Sequence, residues 1–150
     1  MVAALALHIL AAVAWVGGML FAHQMLRPAA RALEPAIRLP LWQRVFSRFF
    51  PLVWISIVVL LASGFFMVDY GFGGFAGVGL YVHIMMALGI IMMLIFLHLF
   101  FAPWKRFARA VAAGDLAEAG RQIEQIRVIV GINLIIGLIT VVVGATGRYW

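Results

Sequence analysis

The chain reads as an all-α integral membrane protein, a four-helix bundle of two parallel two-helix repeats with both termini extracytoplasmic. Three observations lead there. Of its 150 residues, 67 % are hydrophobic and only 11 % charged, whereas a soluble domain runs about half apolar and about a quarter charged. The apolar residues gather into four runs, each able to cross a hydrocarbon core of about 30 Å, which takes roughly 20 helical residues. The second half of the chain also repeats the first. Helices are the expected form, because lipid leaves no partner for a free backbone group and no alternating strand pattern is present. The single transmembrane domain covers 1–150.

Composition narrows the chemistry. So much Leu, Ile, Val and Phe with so little charge excludes disorder. The absence of cysteine removes disulfides, thiolate metal sites and thiol nucleophiles together. The net charge of +6 does not point to nucleic acid. Five cations lie between Arg27 and Arg48, five between Lys105 and Arg127, and the last is Arg148. They flank apolar runs instead of forming a stripe with interleaved aromatics.

The first span covers about 2–26. It lacks a positive leading segment, its apolar run is too long for a signal peptide, and no small-residue cleavage site precedes Arg27, so it is expected to stay in the mature protein. Segment 27–50 follows, basic and amphipathic, with Trp42, Val45, Phe46 and Phe49 beside Arg44 and Arg48. The second span is about 51–68. The link 69–79, DYGFGGFAGVG, holds five glycines and is either a connector or a close backbone approach to something bound. The third span is about 80–101. In segment 102–127, Asp115 and Glu118 form a capping pair that starts a helix through Ile123 and Ile126. The fourth span is about 128–145. Both basic segments are expected at the membrane surface as extensions of spans two and four. The positive-inside rule places them in the cytoplasm, which puts both termini outside. The expected location is a bacterial inner membrane, as a multi-pass protein in the lipid bilayer.

The repeat is anchored on rare residues. His8 and His83 are 75 apart, as are His23 and His98, and Pro28 and Pro103. Spans two and four align at an offset of 77, with Ser56 against Asn133 and Ser63 against Thr140. Two spans per repeat keep the same topology, so the halves relate by an axis along the membrane normal.

All four histidines fall in spans one and three, where an ionisable side chain is costly and marks a functional candidate. Fifteen residues of helix rise about 22 Å and rotate a side chain by only about 60°, so both histidines of a span can share one face. His8 then lies level with His83 near the outer surface, and His23 with His98 near the cytoplasmic one. Two neutral imidazoles per level suit one haem b each as axial iron ligands, two per chain. Such haems, roughly 20 Å apart, make an electron path across the bilayer. Gly17, Gly18 and Gly89 offer room between the histidines. Asn133, Gly137, Thr140 and Gly144 form a small, mildly polar stripe that is also ordinary membrane-helix packing. Propionates could meet Arg27, Arg44, Arg48 or Arg127 inside and Arg148 outside. Methionine competes with this reading. Met85, Met86, Met92 and Met93 on span three, with Met19 and Met25 on span one, add thioethers that suit Cu(I) beside imidazole. They also serve as core filler. No carboxylate lies within a span. Asp69 with Tyr70 could serve a quinone or be a solvated turn.

The runs LHILAAVAWVGGMLFAHQMLRPA (7–29), LASGFFM (61–67), VHIMMALG (82–89), FLHLFFAPWKRFARAVAAGD (96–115) and INLIIGLITVVVGATGRYW (132–150) resemble the CopD-like copper-resistance membrane protein family. The opening His-x6-Trp-x-Gly-Gly (8–18) and the closing Gly-Arg-Tyr (147–149) carry the likeness. The resemblance implies copper uptake or resistance. The four-helix core is also similar to di-haem b-type membrane cytochromes, some of which pass electrons between quinone and superoxide. A further likeness is to membrane protoporphyrinogen oxidases of the HemJ type. Those pair a histidine with a lysine in the basic loop, whereas the first basic segment here holds only arginines. The expected function is a b-type cytochrome exchanging electrons with a quinone or a periplasmic partner, as an oxidoreductase if it turns over substrate. Copper handling is the alternative, and a homodimer is allowed.

Overall fold

A computed structural model describes all 150 residues as helices and their connections, with no strand. α1 (Val2–Phe21) passes through a π-helical turn (Ala22–Leu26) into the short α2 (Arg27–Ala30). After a tight reversal, α3 (Pro35–Gly71) runs unbroken for 37 residues. A link with one 3-10 turn (Phe75–Gly77) leads to α4 (Leu80–Leu99), a second π-helical turn (Phe100–Trp104) and α5 (Lys105–Ala112). α6 (Leu116–Thr146) closes the bundle, ending in a 3-10 turn (Gly147–Tyr149). Four continuous helical stretches, Val2–Ala30, Pro35–Gly71, Leu80–Ala112 and Leu116–Tyr149, are long and apolar enough to cross a membrane. The chain is a multi-pass membrane protein.

The two π turns have one cause. Pro28 and Pro103 each lack an N–H, and each ring crowds the carbonyl four residues earlier, at Gln24 and Leu99. A widened turn relieves that crowding without ending the helix. The first turn contains His23 and ends before Pro28, and the second begins after His98 and contains Pro103.

The helices outrun the bilayer. At 37 residues, α3 is about 55 Å long, nearly twice a hydrocarbon core. The surplus is the basic stretch before Pro51, which continues the helix axis. Its apolar face does not stay free for lipid. Trp42, Phe46 and Phe50 stack with centroids 5.2 and 5.1 Å apart. Trp104 meets Phe46 and Phe50 edge-on at 5.9 and 5.2 Å, and Phe107 meets Phe46 at 6.4 Å. The first amphipathic segment therefore packs on the second. Asp115 caps α6, accepting the Glu118 N–H at 2.9 Å. Glu118 turns away from the cap and accepts from Gln122 Nε2 at 2.7 Å and from Arg121.

α1 packs against α3, and α4 against α6, as two antiparallel pairs. α6 also touches α1, α3 and α5. Met1, Gly71, Tyr81 and Gly147 share one end of the bundle, called here the terminal end. The arginine-rich segments form the opposite, basic end. In the link between the pairs, Gly73 and Gly74 have φ of 71° and 98°. The turn itself thus requires these glycines.

α1 fits closely on α3 at Gly18, where a Cβ would overlap the Phe49 ring, while Gly17 beside it faces open space. Gly18→Leu is expected to destabilise the protein by about 1–3 kcal/mol, the usual cost of overpacking. Gly17→Leu should leave thermal unfolding in detergent unchanged. Equal losses in the two variants would refute this close fit.

Candidate functional site

His8 sits half-buried on α1 and faces α3. Its Nδ1 lies 2.8 Å from Ser63 Oγ, and its ring lies against Gly64. Ser63 is buried, and its single hydroxyl hydrogen goes to the Val59 carbonyl at 2.5 Å. The remaining lone pairs of Ser63 then accept from His8 Nδ1–H. This fixes the tautomer and leaves the Nε2 lone pair free, the arrangement a metal-ligating imidazole needs.

The other histidines are placed differently. His23 is half-buried in the first π turn and lies over Gly131 of α6. Its only side-chain partner is Gln24 Nε2 at 3.5 Å, the limit of a hydrogen bond. His83 lies beside Phe75 of the link, ring centroids 6.4 Å apart. His98 is exposed, between buried Phe96 and Leu99. No two histidines are hydrogen-bonded to each other, and no three ligand-type side chains (His, Cys, Asp or Glu) cluster closely enough to hold a metal ion. The reason lies in the packing. The contacts of His8 and His23 are with α3 and α6, while α4 packs mainly on α6. Between α1 and α4, Trp15 and Phe96 meet edge-on at 6.2 Å. For a haem, His8 with its Nε2 free fits the part of a ligand.

The inner face of α6 gathers three of the candidate ligands, His23, Met85 and Met92. A Cβ at Gly131 would meet His23 Nε2 at 3.1 Å, and one at Gly137 would meet Met92 Cε and Val16 at 3.0 Å. A Cβ at Gly144 would meet Met85 Sδ at 2.6 Å, and Tyr81 covers Gly147. Met92 is itself buried, as is Met19 on α1. Thr140 Oγ1 lies 4.0 Å from Met92 Sδ but donates to the Ile136 carbonyl at 2.8 Å, so the thioether lone pairs stay free. Asn133 is also buried on this helix, and its Oδ1 has no donor. A buried acceptor without a donor calls for an ion, a water or a ligand.

Gly17 is exposed, and both Gly17 and Gly89 face open space. Arg148 is exposed, donates to the Tyr149 hydroxyl and lies over that ring at 4.6 Å. Asp69 and Tyr70 are exposed at the terminal end. Arg27 lines a cavity at the basic end with His23, Arg31, Arg38, Glu124 and Arg127. Sequence reasoning missed Arg31 and Arg38 as site residues, because only the reversal between α2 and α3 turns them toward α6.

No curated protein and no solved structure gives a significant match to the chain. A family model described as copper resistance protein D matches residues 43–146. The match starts within α3, so His8 and His23 lie outside it, while α4, α5 and α6 lie within. It spans more than half of the sequence, and the chain belongs to the copper resistance protein D (CopD) family.

Proposed function

We propose that this protein carries copper, as the cuprous ion, in a bacterial inner membrane with its basic end toward the cytoplasm. One observation carries the reading. Three glycines of the inner face of α6 are covered by Met85, Met92 and His23, the thioethers and imidazole that suit Cu(I). Gly144, Gly137 and Gly131 are six and seven residues apart, so these ligands recur about every 10 Å along the helix. A ladder of single soft ligands binds weakly at each step and favours passage over storage. His8, with Nε2 free, supplies a ligand at the terminal end. The ion is cargo and keeps its oxidation state throughout.

A second reading is supported by the His8–Ser63 pair: His8, with Nε2 unprotonated, would be a residue able to hold haem iron. A bound haem b would supply one-electron chemistry with a quinone or a periplasmic partner. A HemJ-type oxidase is a variant of that reading.

Purified protein in detergent should take up added Cu(I) in titration under reducing conditions and show no b-type band after dithionite. A sharp reduced band with about two haems per chain would overturn the copper reading in favour of the cytochrome. Met92→Leu, a near-isosteric change, should lower Cu(I) occupancy several-fold while leaving the melting temperature nearly unchanged. Undiminished occupancy in Met92→Leu combined with His23→Ala excludes the α6 path. Ser63→Ala should weaken metal binding at His8 by about 10–100-fold, the usual effect of removing the group that orients a ligand. Titration of wild type and variant under the same reducing conditions reads that ratio.

A further inference from the structure

The cavity at the basic end has a volume of about 320 Å³, near the lower limit for small-ligand sites. Its two walls differ in kind. Trp42, Phe46, Ile126 and Val130 make an apolar floor, while Arg27, Arg31, Arg38 and Arg127 bring guanidinium groups to it. These four come from α2, the α2–α3 reversal, α3 and α6. Glu124 is the one carboxylate, and it is engaged by Arg127 Nη2 at 2.8 Å. Arg38 spends one donor on the Leu33 carbonyl at 3.3 Å. Arg27 and Arg31 have no acidic partner within ion-pair distance. Arg127 Nε is buried with nothing to donate to.

Topology alone would put arginines at this end, and it accounts for exposed Arg44 and Arg48. It does not account for convergence of four guanidinium groups on one recess, nor for a buried donor left without an acceptor. Buried donors are nearly always satisfied, and an exception points to a missing partner. Guanidinium forks match the oxygens of a phosphate in paired hydrogen bonds. The floor asks for an apolar body behind the charged group.

We propose that this recess binds a phosphate-bearing anion with an apolar portion, a class that includes the headgroup region of an anionic phospholipid and a free phosphate ester. Arg27, Arg31 and Arg127 hold the phosphate oxygens, and Trp42 lies beneath the attached apolar part. The site opens beside His23 and is independent of which metal the bundle handles.

The test uses the full-length protein, free of copper, in neutral detergent. Native mass spectrometry reads retention of phosphatidylglycerol against phosphatidylcholine, with inorganic phosphate as competitor. Wild type should retain phosphatidylglycerol preferentially. Arg31→Gln, an exposed position that disturbs no packing, and Arg27→Gln combined with Arg127→Gln should each weaken retention by about tenfold, the scale of one lost charge-assisted hydrogen bond. Arg44→Gln removes the same charge from the same end and should change nothing. Displacement of the lipid by millimolar phosphate supports the site and identifies its occupant as a free anion. Equal losses in Arg44→Gln and Arg31→Gln, or no retention of either anion, overturn the proposal.

Discussion

The close contact of α6 with its neighbours is the constraint on which the bundle depends. Lipid tails are as apolar as leucine, so helices in a membrane gain little from burying apolar surface against one another. They gain from close fit, which small residues permit. α6 and the turn that ends it carry Gly131, Gly137, Gly144 and Gly147 toward the first and third spans, and the side chains that cover them are His23, Val16, Met92, Met85 and Tyr81. A Cβ at Gly147 would overlap Tyr81 Cβ, whereas at the other three it would crowd the side-chain ends that cover them. The same smallness brings His23, Met85 and Met92 onto one helix face.

At the basic end, packing rests on larger side chains. α3 and α4 are joined less by backbone approach than by rings, with Trp54 against Phe96 at 5.5 Å and against Phe100 at 5.6 Å, and Phe50 against Phe96 at 5.6 Å. Edge-to-face pairs of this kind add about 0.5–1.5 kcal/mol each beyond the area they bury. The cluster continues through Trp104 and Phe107 past the reach of a bilayer. It holds the extension of α3 on α5 and forms one side of the arginine-lined recess. The arginine-lined recess at this end therefore sits on an aromatic base.

The structure treats the two repeats unequally. His8 is bonded to Ser63, whereas Thr140, the counterpart of Ser63, lies near Met92 and not near His83. A repeat that is symmetric in sequence sets an imidazole beside a serine in one half and a thioether beside a threonine in the other. Equal spacing of histidines in two helices fixes their heights, not the direction each faces. Direction depends on which neighbour each helix packs against.

Much of the fold was legible in the order of residues. Four apolar runs, two basic segments and the Asp115 cap dictate four membrane helices and their alternating direction. These follow from local backbone chemistry and from the demands of a solvent that offers no hydrogen bonds. Histidine and methionine could be named as candidate ligands for the same reason, as costly or polarisable groups placed in lipid. Their partners could not be named. Ser63 against His8, Gly131 under His23, and Arg31 beside Arg127 join residues far apart in sequence. Such pairings depend on helix rotation and on the reversal after α2. Those are set by the close packing of α6 and by the aromatic cluster, and only the tertiary structure decides them.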